Sequence, residues 1–365
     1  MSHIPTRLFV ELCAGTAALS LAHFAKGDPL KSRKGAYKQV KPPVSRMGSK
    51  AGYAEAILDV LGLAPGEGRE VGTHYLWCEP DPGCRLLLEA YRDASLARAA
   101  ADIIRGWAAE DPRALWERLR AEGPPRGAEV SPGGQVFAHE VARWLNIAGW
   151  DMGQAAPGFR HPYGGKSASG RTGNGCDGLT SAGLARRTEG LPEVPATIAP
   201  DARAVDPREV ARWVWTWGRS FNTKGPDAGF LPSESSTGTP VWNAHPPEWF
   251  AAACDRLPEL PATILPDARV ADLRITLPHG TICYMDPPYV GTTQYANHLG
   301  RADVVAIARR WAAAGATVCI SEAEPIPDLV GDGWEVADIT GRRKGQRRTF
   351  SKQQSEYLTI KRATP

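Results

Sequence analysis

The sequence contains no uninterrupted apolar run of about 18 residues, the length a membrane-spanning helix needs, so no span is expected. It contains no Cys-x-x-Cys pair. Its seven cysteines, Cys13, Cys78, Cys84, Cys176, Cys254, Cys283 and Cys319, are an odd number, and several sit inside apolar runs. That pattern points to reduced core thiols in a cytoplasmic protein and away from a disulfide scaffold; no zinc or other metal site is indicated. Residues 1–25 lack the layout of a secretion signal, because the first apolar run already carries Glu11. Charge of one sign is also lacking. The formal net charge of +3 is too small to indicate a nucleic-acid partner by itself, so the distribution of cations has to be read instead.

A hydrophobic content of 42% is ample for a core, and 23% charged residues argue against wholesale disorder. The 365 residues allow one large domain or two. The 38 glycines and 31 prolines predict long loops. Short apolar runs are the main organising feature, and several of them end in an acid. Leu8–Leu12 carries Glu11. Tyr75–Cys78 ends in Glu79, and Thr317–Ser321 ends in Glu322. Each reads as a buried strand. Thr16–Ala25 is Ala- and Leu-rich and reads as a helix, with Gly15 at the joint. Strand, tight glycine turn and helix open many nucleotide-binding α/β folds, because only small residues let the backbone approach a cofactor closely. At the end of the second strand, Glu79 fits an acid that binds ribose hydroxyls, and Asp81 fits the cap of the helix that follows. Ser49 fits a helix cap as well. Lys50 beside it opposes the helix dipole, which suggests that it serves something other than the helix.

The stretch Thr281–Tyr289 ends an apolar run in Asp286-Pro287-Pro288-Tyr289. The prolines stop the strand. Asp286 and Tyr289 are then expected at the carboxyl end of a strand, where open α/β sheets place their chemistry. Arg301–Ala314 reads as an amphipathic helix. Trp334–Ile339 and Glu356–Ile360 read as two strands of a closing hairpin, joined by a segment that holds Arg342, Arg343, Lys344, Arg347 and Arg348.

Residues 131–280 differ from the rest, being rich in glycine, proline and tryptophan. They hold internal echoes: Glu140-Val141-Ala142-Arg143-Trp144 recurs as Glu209-Val210-Ala211-Arg212-Trp213. Two copies are too few for a solenoid. Residues 158–176 read as a glycine-rich basic loop, either a plain surface loop or one in which Arg160, Lys166 and Arg171 suit phosphate contacts. The alternation of Trp213, Trp215 and Trp217 is consistent with one buried face of a strand, which would leave Arg219, Asn222 and Lys224 exposed for DNA.

The Asp-Pro-Pro-Tyr tetrapeptide resembles the catalytic motif of enzymes that methylate an exocyclic amine of adenine or cytosine. The chain as a whole is similar to the DNA adenine methylase family, the D12 class of N6-adenine methyltransferases. Phe9-Val10-Glu11-Leu12-Cys13-Ala14-Gly15-Thr16-Ala17 resembles that family's S-adenosylmethionine motif, with Cys13 where phenylalanine is expected and Ala17 where glycine is expected. Arg46-Met47-Gly48-Ser49-Lys50 resembles its Trp-Ala-Gly-Gly-Lys segment, here displaced to follow the first motif. Arg219-Ser220-Phe221-Asn222 resembles its Arg-x-x-Phe-Asn. The resemblance covers roughly 7–92 and 210–362.

The resemblance implies a Rossmann-like class I methyltransferase, with residues 1–94 and 270–365 as the catalytic domain and 95–269 as an inserted target-recognition region. It implies Asp286, Pro287, Pro288 and Tyr289 as catalytic, and Phe9, Glu11, Cys13, Gly15, Thr16, Lys50, Glu79 and Asp286 around S-adenosylmethionine. The implied partner is double-stranded DNA, methylated at N6 of a flipped adenine. N4-methylation of cytosine, and a non-catalytic DNA-binding protein that keeps the fold, are the alternatives.

Overall fold

The computed structural model describes residues 7–25, 41–44, 49–123, 205–220, 229–234, 238, 241, 244–265, 267–268, 277–289, 299–343 and 355–364. Its strands are β1 (Arg7–Leu12), β2 (Thr73–Cys78), β3 (Ala262–Leu265), β4 (Ile282–Met285), β5 (Thr317–Glu322), β6 (Glu335–Asp338) and β7 (Tyr357–Lys361). They form one sheet in the order β3-β2-β1-β4-β5-β7-β6. The pairs β1–β2, β2–β3, β1–β4 and β4–β5 are parallel. β7 runs antiparallel to both β5 and β6, as the expected closing hairpin requires. The chain moves outward from β1 to β3, then returns to lay β4 on the other side of β1. The carboxyl ends of β1 and β4 therefore flank the topological switch point, where an open α/β sheet leaves a crevice. The architecture is a mixed α/β sheet, mostly parallel, and compatible with a Rossmann-like fold.

Ten helices accompany the strands among the described residues: α1 (Ala18–Phe24), α2 (Ala54–Leu61), α3 (Glu67–Glu70), α4 (Pro82–Arg92), α5 (Ala94–Gly106), α6 (Pro112–Ala121), α7 (Pro207–Gly218), α8 (Pro247–Asp255), α9 (Arg301–Ala313) and α10 (Pro327–Gly331). Strand side chains alternate between two cores. Phe9, Tyr75, Trp77, Tyr284 and Cys319 join the core built with α1, α2, α4, α5, α7 and α8. Val10, Leu12, Leu76, Cys283, Met285, Val318 and Ile320 join the one built with α9 and α10. Burial on both faces explains why the central strands read as continuous apolar runs rather than as alternating patterns. No helix among the described residues is long and apolar enough to cross a membrane. The six described cysteines are free thiols.

Helix starts follow local chemistry. The Asp81 carboxylate accepts the Cys84 amide at the start of α4 (2.9 Å), with Pro82 in the first turn. Asp93 caps α5, and Asp111 caps α6 ahead of Pro112. Asp206 and Pro207 repeat the arrangement at α7.

α7 corrects the strand reading of the tryptophan-rich segment. Trp213, Trp215 and Trp217 lie on a helix whose residues are buried from Val210 to Gly218. Trp213 and Trp217 stack one helical turn apart, with ring centroids at 5.2 Å, while Trp215 meets Phe250 of α8 edge-on. With every side covered, tryptophan at alternate positions carries no information about period.

Residues 262–265, within the interval assigned to target recognition, form edge strand β3 of the main sheet. α5, α7 and α8, from the same interval, contribute buried residues to the core shared with β1 and β2.

Candidate functional site

The glycine turn after β1 carries unusual backbone geometry. Cys13 (φ 61°), Gly15 (φ 54°) and Ala17 (φ 44°) all adopt left-handed conformations. Two of the three carry a Cβ, a strain that persists only where the surroundings fix it. Those surroundings are identifiable. Ala14 donates its amide to the Cys78 carbonyl (3.0 Å), tying the turn to the end of β2. The Gly15 amide donates to Glu79 Oε2 (2.6 Å), and the Asp81 amide to Glu79 Oε1 (2.8 Å). Tyr91 of α4 donates its hydroxyl to the Thr16 carbonyl (3.2 Å), and Thr16 Oγ1 meets Ser49 Oγ (3.2 Å). A Cβ built on Gly15 would meet no atom within 4 Å, so the turn faces open space on that side.

Glu11 is buried on the Phe9 side of β1. Its Oε1 accepts the Ser20 amide (2.8 Å) in the first turn of α1. Burial pushes its carboxyl up to about 8, against the bond from Ser20, and the nearby Asp286 carboxylate pushes the same way. Glu11 therefore binds the amino end of α1, and Glu79 binds the turn. Both acids occupy amides that a phosphate-binding loop would present to its ligand.

Across the switch point, the Asp286 amide donates to the Leu12 carbonyl (3.2 Å), continuing the ladder beyond the end of β4. Proline at 287 and 288 ends the strand, and the chain turns so that Asp286 and Tyr289 meet Lys50. Ser49 caps a short 3₁₀ turn over Lys50–Gly52 by accepting the Ala51 amide, and that turn aims Lys50 inward. Lys50 Nζ lies 2.8 Å from Asp286 Oδ1, 3.6 Å from Glu356 Oε1, and donates to the Tyr289 hydroxyl at 2.6 Å. That hydroxyl donates in turn to Glu356 Oε1 (2.6 Å). The Lys50 and Glu356 side chains are 8% and 4% exposed, whereas Asp286 keeps 20%. Asp286 and Tyr289 are thus the members of the cluster that stay partly exposed.

Burial pushes the Asp286 carboxyl above its usual range, and Lys50 opposes that by charge and hydrogen bond. Glu356 is raised by burial and held back by Lys50 and by the Tyr289 hydroxyl. Burial raises Tyr289 strongly, with Asp286 and Glu356 adding to it, so the phenol stays protonated and donates. At the end of β5, burial lifts Glu322 to about 7, opposed chiefly by Arg301 at 3.2 Å. Five acids (Glu11, Glu79, Asp286, Glu322 and Glu356) thus converge on the carboxyl ends of the sheet around Lys50 and Arg301.

The structure brings together Glu11, Cys13, Gly15, Thr16, Lys50, Glu79 and Asp286–Tyr289 at this end of the sheet; Phe9, expected beside the cofactor, is instead fully buried in the core, with its ring against His23 and Tyr75. Lys50, expected beside a cofactor, is bonded directly to Asp286 and Tyr289. Arg219 is corrected. It follows a buried helix, is 1% exposed, and spends its guanidinium on the His245 carbonyl (2.9 Å) and Ser233 Oγ (3.2 Å), over the ring of Phe230. It holds loops to the end of α7 and offers no surface to DNA. Arg342 and Arg343 are exposed. Arg342 pairs with Asp59 of α2 (2.6 Å), and Arg343 lies over Tyr53, three residues from Lys50. Arg160, Lys166, Arg171, Asn222, Lys224, Lys344, Arg347 and Arg348 lie outside the described residues.

Sequence reasoning missed Glu356 and left Glu322 out of the site. The available signal was the same for both, an acid adjoining an apolar strand, as at Glu79 and Asp286. No protein-family model matches the chain, and no curated protein matches it. What the structure defines is a mixed α/β protein with a cluster of acids around Lys50 at its switch point.

Proposed function

We propose that the protein methylates the exocyclic N6 amine of adenine in DNA, with S-adenosylmethionine as methyl donor. The observation that carries this reading is the Asp286 carboxylate. It stands at the carboxyl end of β4, opposite the glycine turn, partly exposed, with Lys50 favouring its ionised form.

An aromatic exocyclic amine is a poor nucleophile because its lone pair is delocalised into the ring. Two acceptors aimed at its hydrogens, the Asp286 carboxylate and the Pro287 carbonyl, favour a tetrahedral nitrogen and so match the transition state rather than the planar ground state. Proline fixes its own φ and helps aim that carbonyl. The Tyr289 ring, anchored through its hydroxyl to Lys50 and Glu356, offers a face on which an extruded base can stack. As the amine becomes cationic, Asp286 is the adjacent group that stabilises it and accepts its proton.

The donor set fits the cofactor. S-adenosylmethionine supplies an electrophilic methyl group on a cationic sulfur. The open side of Gly15 leaves room for it, and the acids at the strand ends favour a cation over a phosphate. The 13–17 turn would hold it, with Glu79 at the end of β2 fixing that turn through the Gly15 amide. The sheet order and the reversed β7 are in keeping with the resemblance to class I methyltransferases. The exposed Arg342 and Arg343 flank the site and suit a phosphate backbone.

Nucleoside analysis of unmethylated duplex DNA, treated with the protein and S-adenosylmethionine, tests the reading. N6-methyladenine is the expected product. N4-methylcytosine without N6-methyladenine would replace the substrate base. Absence of S-adenosylmethionine binding in calorimetry would contradict the catalytic reading itself.

A further inference from the structure

The Lys50 ammonium is paired with the carboxylate that the proposed reaction turns on the target amine, and holds one of its two oxygens. It sits on Asp286 Oδ1 and the Tyr289 hydroxyl, and Glu356 Oε1 is the second carboxylate within its reach. We propose that Glu356 is a positioning residue that takes over the Lys50 ammonium when the target base engages Asp286, freeing the Asp286 carboxylate for the amine. This inference rests on the methyltransferase reading above.

The geometry favours such a transfer. Glu356 immediately precedes β7, which is locked antiparallel between β5 and β6, so its carboxylate is fixed by the sheet. Its amide donates to Thr340 Oγ1 (2.9 Å), and its own carbonyl accepts the Ile339 amide (2.9 Å). The Tyr289 hydroxyl bridges the two halves of the motion, accepting from Lys50 and donating to Glu356. A small displacement of Nζ along this phenol exchanges one carboxylate for the other without moving backbone. Without a second acid, an arriving neutral amine would have to compete with an ion pair for Asp286, and the displaced ammonium would be left buried and unpaired.

Other charges face the same groups. Toward Asp286 stand Glu11 of β1, Cys13 of the glycine turn, Tyr284 of β4 and Glu322 of β5 with its Arg301. Tyr53, with Arg343 over its ring, faces Lys50 and Glu356. These groups remain in every variant below, so a change between variants reports on Lys50, Asp286 and Glu356.

The experiment measures kcat and KM for tritiated methyl transfer onto unmethylated duplex DNA of mixed sequence, across pH. The proteins are wild type, Glu356→Gln, Glu356→Asp, Lys50→Met and the Glu356→Gln/Lys50→Met double variant, with circular dichroism to verify folding. Glu356→Gln keeps an oxygen for the Tyr289 hydroxyl but removes the charge. It is expected to lower kcat/KM roughly 10- to 100-fold, the scale of one hydrogen bond to a charged group. Lys50 then acts on Asp286 undivided, so the acid limb of kcat/KM moves to lower pH. Glu356→Asp is expected to return that limb toward wild type, which keeps the inference testable if Glu356→Gln does not fold. In the Lys50→Met background there is no ammonium to receive, so Glu356→Gln is expected to add little. Wild-type kinetics for Glu356→Gln would overturn the inference. So would an equal loss in both backgrounds with an unmoved acid limb, which indicates a packing role. Methyl transfer absent from the wild type would instead overturn the reading on which the inference rests.

Discussion

Lys50 and Tyr289 stand 239 positions apart in the chain, yet Lys50 Nζ donates to the Tyr289 hydroxyl at 2.6 Å. That bond joins the first third of the sequence to the segment after β4, and Asp286 and Glu356 complete the cluster. Removing one partner of a buried ion pair costs roughly 3–5 kcal/mol, because the remaining charge is stranded. In Lys50→Met, the Asp286 and Glu356 carboxyls lose the cation that opposes their burial, so their folded-state values rise further above the unfolded ones. The native state then binds extra protons, and stability falls as pH rises through that interval. Denaturant titrations should show a Lys50→Met deficit on that scale near pH 8 that shrinks toward pH 4. A deficit independent of pH would detach it from these carboxylates.

Glu11 gives a second pH signature. Its carboxyl is raised to about 8, so the folded protein favours the protonated form between the unfolded value of 4.5 and that point. Its contribution is complete below 4.5 and is lost as pH rises through 8. Glu11→Gln keeps an acceptor for Ser20 and removes the titration. The variant should gain on wild type by about a few kcal/mol between pH 5 and 9, and match it near pH 4. Unfolding free energies that track wild type across the range would contradict the burial argument.

Ala17 tests the strained turn. A Cβ in the left-handed region costs roughly 1–2 kcal/mol, which glycine would relieve. Glycine also forfeits a buried methyl worth about 0.8 kcal/mol and frees the unfolded chain by roughly 0.5–1 kcal/mol. The terms nearly cancel, so Ala17→Gly should stay within about 1 kcal/mol of wild type by denaturant midpoint. Ala17→Val adds a β-branched side chain at a fully buried position and should lose about 2 kcal/mol or more.

Gly68 lies in α3, just ahead of β2 and at the opposite end of the sheet from the crevice. A Cβ there would collide with the Tyr75 hydroxyl and the His23 imidazole, which are bonded to each other at 2.9 Å. Overpacking of roughly 1–3 kcal/mol outweighs a helix-propensity gain of about 1 kcal/mol at most. Gly68→Ala should therefore lower the melting temperature and leave methyl transfer per folded molecule unchanged. Lost activity at full folding would show that this end of the sheet reaches the site.

Strands β1, β2, β4, β5 and β7 were legible because burial on both faces makes them short apolar runs, and the acids and prolines after them mark where they stop. The reversed β7 followed from reading it and β6 as the two strands of a closing hairpin. The helical state of Trp213–Trp217 was obscured by tryptophan at alternate positions, although Arg208, Glu209, Arg212 and Thr216 keep helical spacing. The better signal was Asp206-Pro207, the same cap that starts α4 and α6. Arg219 is exposed only if a strand precedes it; after a buried helix it turns inward. Lys50 stood out by its misfit with the helix dipole, but its partners could not be read locally, since they come from the far side of a switch point. Glu356 was missed for the same reason. An acid beside a strand becomes part of a site only once the sheet order sets β7 beside β5.

The central claim is that the Asp286 carboxylate, paired with Lys50 at the switch point, draws out the lone pair of a target amine. Tritiated methyl transfer from S-adenosylmethionine, measured on duplex DNA, single-stranded DNA and RNA with wild type and Asp286→Ala, tests it most directly. Incorporation by the wild type, strongest on duplex DNA and abolished in a folded Asp286→Ala, is the predicted result. Incorporation that persists in Asp286→Ala would contradict the account.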